Sequence, residues 1–272
     1  MTPGGRVPTK RVAEAATPSV KPRAAAGTPT KNATAKNATA KKATAKKVAD
    51  ASRKTPPTHW TASETASALQ AKAGLSVVPS LMSWVKDGGG KPNAHERNLF
   101  MAAVAFAYGV WENYVEQLAL ELVNRLSEEL DPSAVPDEAR RDFTKSKDAW
   151  EIAISPGWKE LWRERVRDLA IGDDTEKFGL NTANTGQVRN LFRIVGVDPF
   201  AGVEGEKVDR IADLVRLRGQ IVHTAKVPDD LRKADPISWG DFVSELVDAV
   251  DDACRKQAAA MLGPARASGR EG

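Results

Sequence analysis

The spacing of apolar side chains divides the chain into two unlike parts. From residue 59 to about 262, apolar positions recur at three- and four-residue steps, the period of an amphipathic helix. No stretch sustains the two-residue alternation of a half-buried strand. The longest periodic segment, "NAHERNLFMAAVAFAYGVWENYVEQLALELVNRLSEEL", predicts a helix over about 94–130. Its stepped positions include Leu99, Ala103, Phe106, Val110, Tyr114, Leu118, Leu122 and Leu126. A shorter helix is predicted from Thr61, as N-cap, to Gly74, followed by the apolar "SVVPSLMSWVKDGGG", which glycines end.

Further helices are predicted in "PDEARRDFTKSKDAWEIAI" and "PGWKELWRERVRDLAI". Another runs in "TGQVRNLFRIVG", from Asn184 or Thr185 to Gly196. The last two cover about 204–224 and 238–262, the final one starting at Ser238. Trp158 and Trp162 step by four and are expected in the core. The loop 171–186 is long and polar. The predicted fold class is all-α, a bundle with short loops.

Residues 1–58 carry no such period. Residues 31–50 are four units of five, KNATA, KNATA, KKATA and KKVAD, a period that builds neither a helix stripe nor a strand face. With prolines scattered through it and few large apolar side chains, 1–58 is predicted to be a disordered arm. A helical domain is expected over 59–265 and a short disordered tail over 266–272.

Charge sharpens this division. The arm holds 13 Lys+Arg against Glu14 and Asp50, a net +11, whereas the remainder holds 27 basic and 34 acidic residues, a net −7. The formal +4 of the whole chain is therefore a basic arm on a mildly acidic body. Such an arm resembles the Lys/Ala-rich tails of linker histones, which implies nonspecific nucleic-acid contact by counterion release.

Composition excludes several classes. One cysteine, Cys254, rules out an internal disulfide framework and a cysteine-cluster zinc site. The longest apolar run, 101–111, is too short to span a bilayer, and the N-terminus has no apolar leader segment. No membrane partner and a cytoplasmic location, in a bacterium by its Ala/Arg/Asp/Val richness, are the expectations. Asp173, Asp174 and Glu176 read as a solvated loop rather than a metal site. No phosphate-cradling glycine loop or nucleophile elbow is present. No metal or cofactor is expected. His59 and His95 are isolated.

The helix of 204–224 poses a chemical question. At about 100° per residue, Ile211, Leu214, Val215, Ile221 and Val222 form one apolar stripe, and Arg218 falls in its middle. A permanent cation there must be paired, snorkel outward or face a cleft. His223 follows five residues later in the last turn, roughly 140° away on the wheel. Arg216, seven residues before His223, shares the histidine's face.

The stretch "LVRLRGQIVHTA" resembles the R-x(4–6)-H motif of the HEPN superfamily, in the style of its RiboL-PSP-HEPN and MAE-type groups. "AFAYGVWENYVEQLALEL" resembles the family's first long helix with an aromatic–Glu pair, here Trp111-Glu112. "VRNLFRIVGVDPF" resembles the segment before the motif helix, and "PISWGDFVSELVDAVDDA" the final helix. The likeness spans roughly 95–262.

It implies a homodimer in which each copy gives one Arg and one His to a shared cleft, and metal-independent RNA cleavage. Arg218 would hold the phosphate and His223 would act as general acid or base. Arg216, Gln220 and Lys226 would line the RNA path, and Glu112 would either support the site by orienting the His or Arg or stand as a solvated helix carboxylate. Gly219 stands where the family commonly has Asn, Asp or His, which bears on activity. A toxin or phage-defence effector with an antitoxin or regulatory protein is the implied setting. Two alternatives stand beside it, a non-catalytic HEPN module that binds RNA or a protein, and an arm-driven architectural nucleic-acid binder.

Overall fold

The computed structural model describes residues 63–86, 90–146, 157–172, 179–224, 228 and 231–263. The arm, the C-terminal tail and the acids Asp173, Asp174 and Glu176 lie outside the described residues, as do His59 and Lys226. The fold is all-α. Its helices are α1 (Ala66–Leu75), α2 (Val77–Met82), α3 (Ala94–Glu129), α4 (Asp137–Ser146), α5 (Gly157–Ala170), α6 (Thr185–Val195), α7 (Gly205–Thr224) and α8 (Asp235–Leu262). A 3₁₀ turn at Pro132–Ala134 separates α3 from α4.

The long helix α3 is the axis of the bundle. Asn93 caps it and Glu96 closes a reciprocal capping box, so the start is fixed by side chains rather than by packing. Every turn from Ala103 on buries one or two adjacent residues, including Val104, Ala107, Trp111, Tyr114, Leu118, Leu122 and Leu126. So broad a buried face fits a helix covered on several sides, and α1, α2, α5, α6, α7 and α8 all pack against it. In its N-terminal half the fully buried positions are Phe100, Ala103, Val104 and Ala107; the predicted Leu99 and Val110 pack against the core at its edge, and the predicted Phe106 turns away from it. A one-residue offset turns the helix by about 100°. Phe106 therefore stands 40% exposed.

Two predicted starts move. Helix α1 begins at Ala66 under Thr65, not under Thr61, because the acids that receive its first amides come from other helices. Glu121 of α3 accepts from the Ala66 and Ser67 amides at 3.1 and 2.9 Å. Asp251 of α8 accepts from the Thr65 hydroxyl and amide and from Arg255. Helix α8 starts at Asp235 rather than Ser238, because Pro236 sits in the first turn, where a missing N–H costs nothing.

Helix α6 ends as predicted. Gly196 adopts φ 93°, and a Cβ there would lie 2.3 Å from the Pro136 ring. Trp162 is fully buried with its indole N–H on the Ile194 carbonyl at 2.8 Å, as a core reading requires.

Candidate functional site

Helix α7 sets the site. Ile211, Leu214 and Ile221 are buried, and Val215 is half-buried. Val222, placed by the sequence on the same stripe, lies at its flank in the last turn and is 52% exposed. Arg218 is half-buried on the stripe itself.

What faces Arg218 is an aromatic ring. Its guanidinium carbon lies 5.1 Å from the centroid of Tyr108 on α3, within cation–π range. Among the described residues no carboxylate forms an ion pair with it. Tyr108 is itself tightly held. Its hydroxyl donates to Glu112 at 2.9 Å and accepts the Ala183 amide at 3.0 Å. The Trp111 indole N–H donates to the Ala183 carbonyl at 2.9 Å, so two α3 side chains hold the backbone of one residue, on both its peptide groups, just before the Asn184 cap of α6. Burial pushes the Tyr108 hydroxyl well above its ordinary range, while the nearby Arg218 charge acts the other way. The phenol stays neutral, with its face toward the cation.

Glu112 thus bears on Arg218 through Tyr108. One turn on, Glu116 is half-buried, and burial together with the Glu112 charge raises its carboxyl to about 7.

His223 is exposed in the last turn of α7, where the helix dipole favours a cation. It shares the helix with Arg218 but not the face. Gly219 lies between them in sequence, and a Cβ built on it meets nothing within 4 Å.

Arg216 and Gln220 are both exposed and line one groove of about 650 Å³ between α7 and the start of α8. Arg216 pairs with Asp213 at 2.8 Å. Arg210, also on this groove, was missed by sequence reasoning. Its guanidinium lies 4.8 Å from the Trp239 ring and 4.6 Å from the Phe242 ring. Tyr108 was missed too. The one hint was its four-residue spacing to Glu112, but nothing local joins either to Arg218. Among the described residues no group of His, Cys, Asp and Glu is arranged to hold a metal ion. No described helix is long and apolar enough to cross a membrane.

Compared with known families, the chain matches the model described as RiboL-PSP-HEPN over residues 85–256, a span that contains Tyr108, Glu112, Arg218 and His223. Neither the curated proteins nor the solved structures gave a match.

Proposed function

The chain belongs to the RiboL-PSP-HEPN family, and on that premise we propose that it is a metal-independent endoribonuclease whose chemistry is carried by Arg218 and His223. The observation that supports this most is the state of Arg218. Its guanidinium rests on Tyr108, and no carboxylate among the described residues takes its charge. A planar fork of N–H donors so held suits a phosphate, which binds arginine in two-pronged fashion.

In the reaction the 2′-oxygen of RNA attacks the adjacent phosphorus. The O2′–P bond forms and the P–O5′ bond breaks, leaving a 2′,3′-cyclic phosphate and a 5′-hydroxyl. His223 takes the 2′-hydroxyl proton or returns one to the leaving 5′-oxygen, a task suited to imidazole at neutral pH. Arg218 offsets the charge that grows on the phosphoryl oxygens. DNA, with no 2′-hydroxyl, is not cut by this route.

The two side chains point from different faces of α7, about 140° apart. The reading includes a homodimer whose two α7 helices each supply one Arg and one His to a shared cleft. The basic arm adds loose, salt-sensitive contact to the RNA backbone.

A second reading is favoured by Gly219. The open space at this position holds no polar side chain beside the motif histidine, and a non-catalytic RNA-binding module would look the same. Cleavage of RNA in EDTA by the wild type and by His223→Ala separates the two.

A further inference from the structure

The groove between α7 and α8 has a composition that the catalytic pair does not explain. Its volume of about 650 Å³ falls in the range of small-ligand pockets. Leu217 and Trp239 give it apolar walls, and Arg210, Arg216 and Gln220 give it hydrogen-bond donors. Arg210 is the distinctive part. Its guanidinium is packed on the Trp239 and Phe242 rings and donates to the Ser238 hydroxyl at 3.1 Å. Among the described residues no carboxylate forms an ion pair with it; the aromatic rings and the Ser238 hydroxyl are its partners.

Two acids also line the groove. Asp213 is held by Arg216 in an exposed pair, of the kind that contributes little and rearranges readily. Asp235 accepts from the Arg232 amide.

The groove reaches Thr224, the residue that follows the motif histidine. Arg216, on its wall, lies only about 20° from His223 on the helical wheel. A strand whose scissile phosphate reaches His223 would therefore pass its neighbouring nucleotide along Arg216 and Gln220. We infer that this groove holds one unpaired nucleotide of the RNA strand. The phosphate meets Arg216 and Arg210, the base lies against Leu217 and the Trp239–Arg210 stack, and the Gln220 amide hydrogen-bonds to the base edge. Single-stranded RNA is commonly read this way, by stacking on rings and guanidinium planes together with edge contacts. The inference rests on the ribonuclease reading for the identity of the strand, but not for the groove's chemistry.

The test uses full-length His223→Ala protein, which cannot consume its ligand, with ¹⁵N-labelled tryptophan indoles. Trp239→Phe identifies the Trp239 signal. Adenosine and uridine 5′-monophosphates are expected to shift that signal saturably, and inorganic phosphate at equal concentration to leave it in place. Arg216→Ala and Gln220→Ala, both at exposed positions, are expected to weaken nucleotide binding at least fivefold. A 2′-O-methyl RNA hexamer is expected to shift the same signal at lower concentration than either mononucleotide.

A Trp239 signal unmoved by every nucleotide overturns the groove assignment, whether or not the protein cleaves RNA. A shift with mononucleotides but none with the hexamer overturns the strand as occupant. Wild-type protein that binds nucleotides here yet cuts no RNA would sink the nuclease reading alone.

Discussion

Arg218 of α7 lies with its guanidinium carbon 5.1 Å from the ring centroid of Tyr108 on α3. The helix can bury this cation on its apolar stripe because a π face, not a carboxylate, receives it. Such a contact contributes about 0.5–2 kcal/mol depending on desolvation, and it leaves the guanidinium N–H groups available. The ring and the hydroxyl of Tyr108 then have separate tasks. Tyr108→Phe keeps the ring and loses two hydrogen bonds, so about 1–2 kcal/mol of stability should go, with cleavage within about threefold of wild type. Tyr108→Leu removes the π face and should lower cleavage by tenfold or more while the fold persists. Thermal unfolding and initial rates on one RNA, measured side by side, check the split.

Glu116 carries a pH prediction. Its folded carboxyl titrates at about 7, above the ordinary 4.5, because burial and Glu112 disfavour the charge. The folded state therefore binds the proton more tightly than the unfolded chain. The associated stability is fully present below about 4.5 and is lost as pH rises through 7. Solvent screening at a half-buried site holds the effect to about 1 kcal/mol. Glu116→Gln should flatten the stability profile between these values and make the protein more stable than wild type at pH 8. Urea unfolding at pH 5 and pH 8 measures it.

The start of α1 hangs on two acids from elsewhere in the bundle, Glu121 and Asp251. Glu121→Ala leaves two amides and the Ser67 hydroxyl to water at a part-exposed site and should cost about 1–2 kcal/mol. Asp251 is 1% exposed and also holds Arg255. Asp251→Ala should cost about 3 kcal/mol, because it strips a buried network of its acceptor. Denaturant midpoints rank the two variants.

Gly219 sits inside α7 with room around it. Gly219→Ala should stabilise the protein by about 0.5–1 kcal/mol through helix propensity alone. Gly219→Asn fits the same space and returns a polar side chain one turn before His223. Under the catalytic reading it is expected to leave cleavage intact or raise it, and activity that appears only in Gly219→Asn would favour the non-catalytic reading of the native chain.

Much of the helix order was legible because each helix carries its own signal. The Asn93–Glu96 capping box, the Asn184 cap and Gly196 mark ends by local chemistry. The starts of α1 and α8 were less legible. Thr65 is chosen over Thr61 by Asp251 and Glu121, which lie 186 and about 55 residues away. Pro236 reads as a breaker until it is seen to occupy a first turn.

The catalytic candidates were visible as a motif on one helix. Their surroundings were not, since Tyr108 under Arg218 and Trp239 under Arg210 are brought together only by packing. The sequence posed Arg218 as a cation on the wrong face, and the answer lay on another helix.

The most direct measurement is cleavage of a mixed RNA pool in EDTA by wild type and by His223→Ala, with both product ends mapped. The expected result is 2′,3′-cyclic phosphate and 5′-hydroxyl ends from wild type, and a loss of at least a hundredfold in the variant. Full cleavage by His223→Ala, or wild-type cleavage that EDTA abolishes, would contradict the assignment of a metal-independent site built on Arg218 and His223.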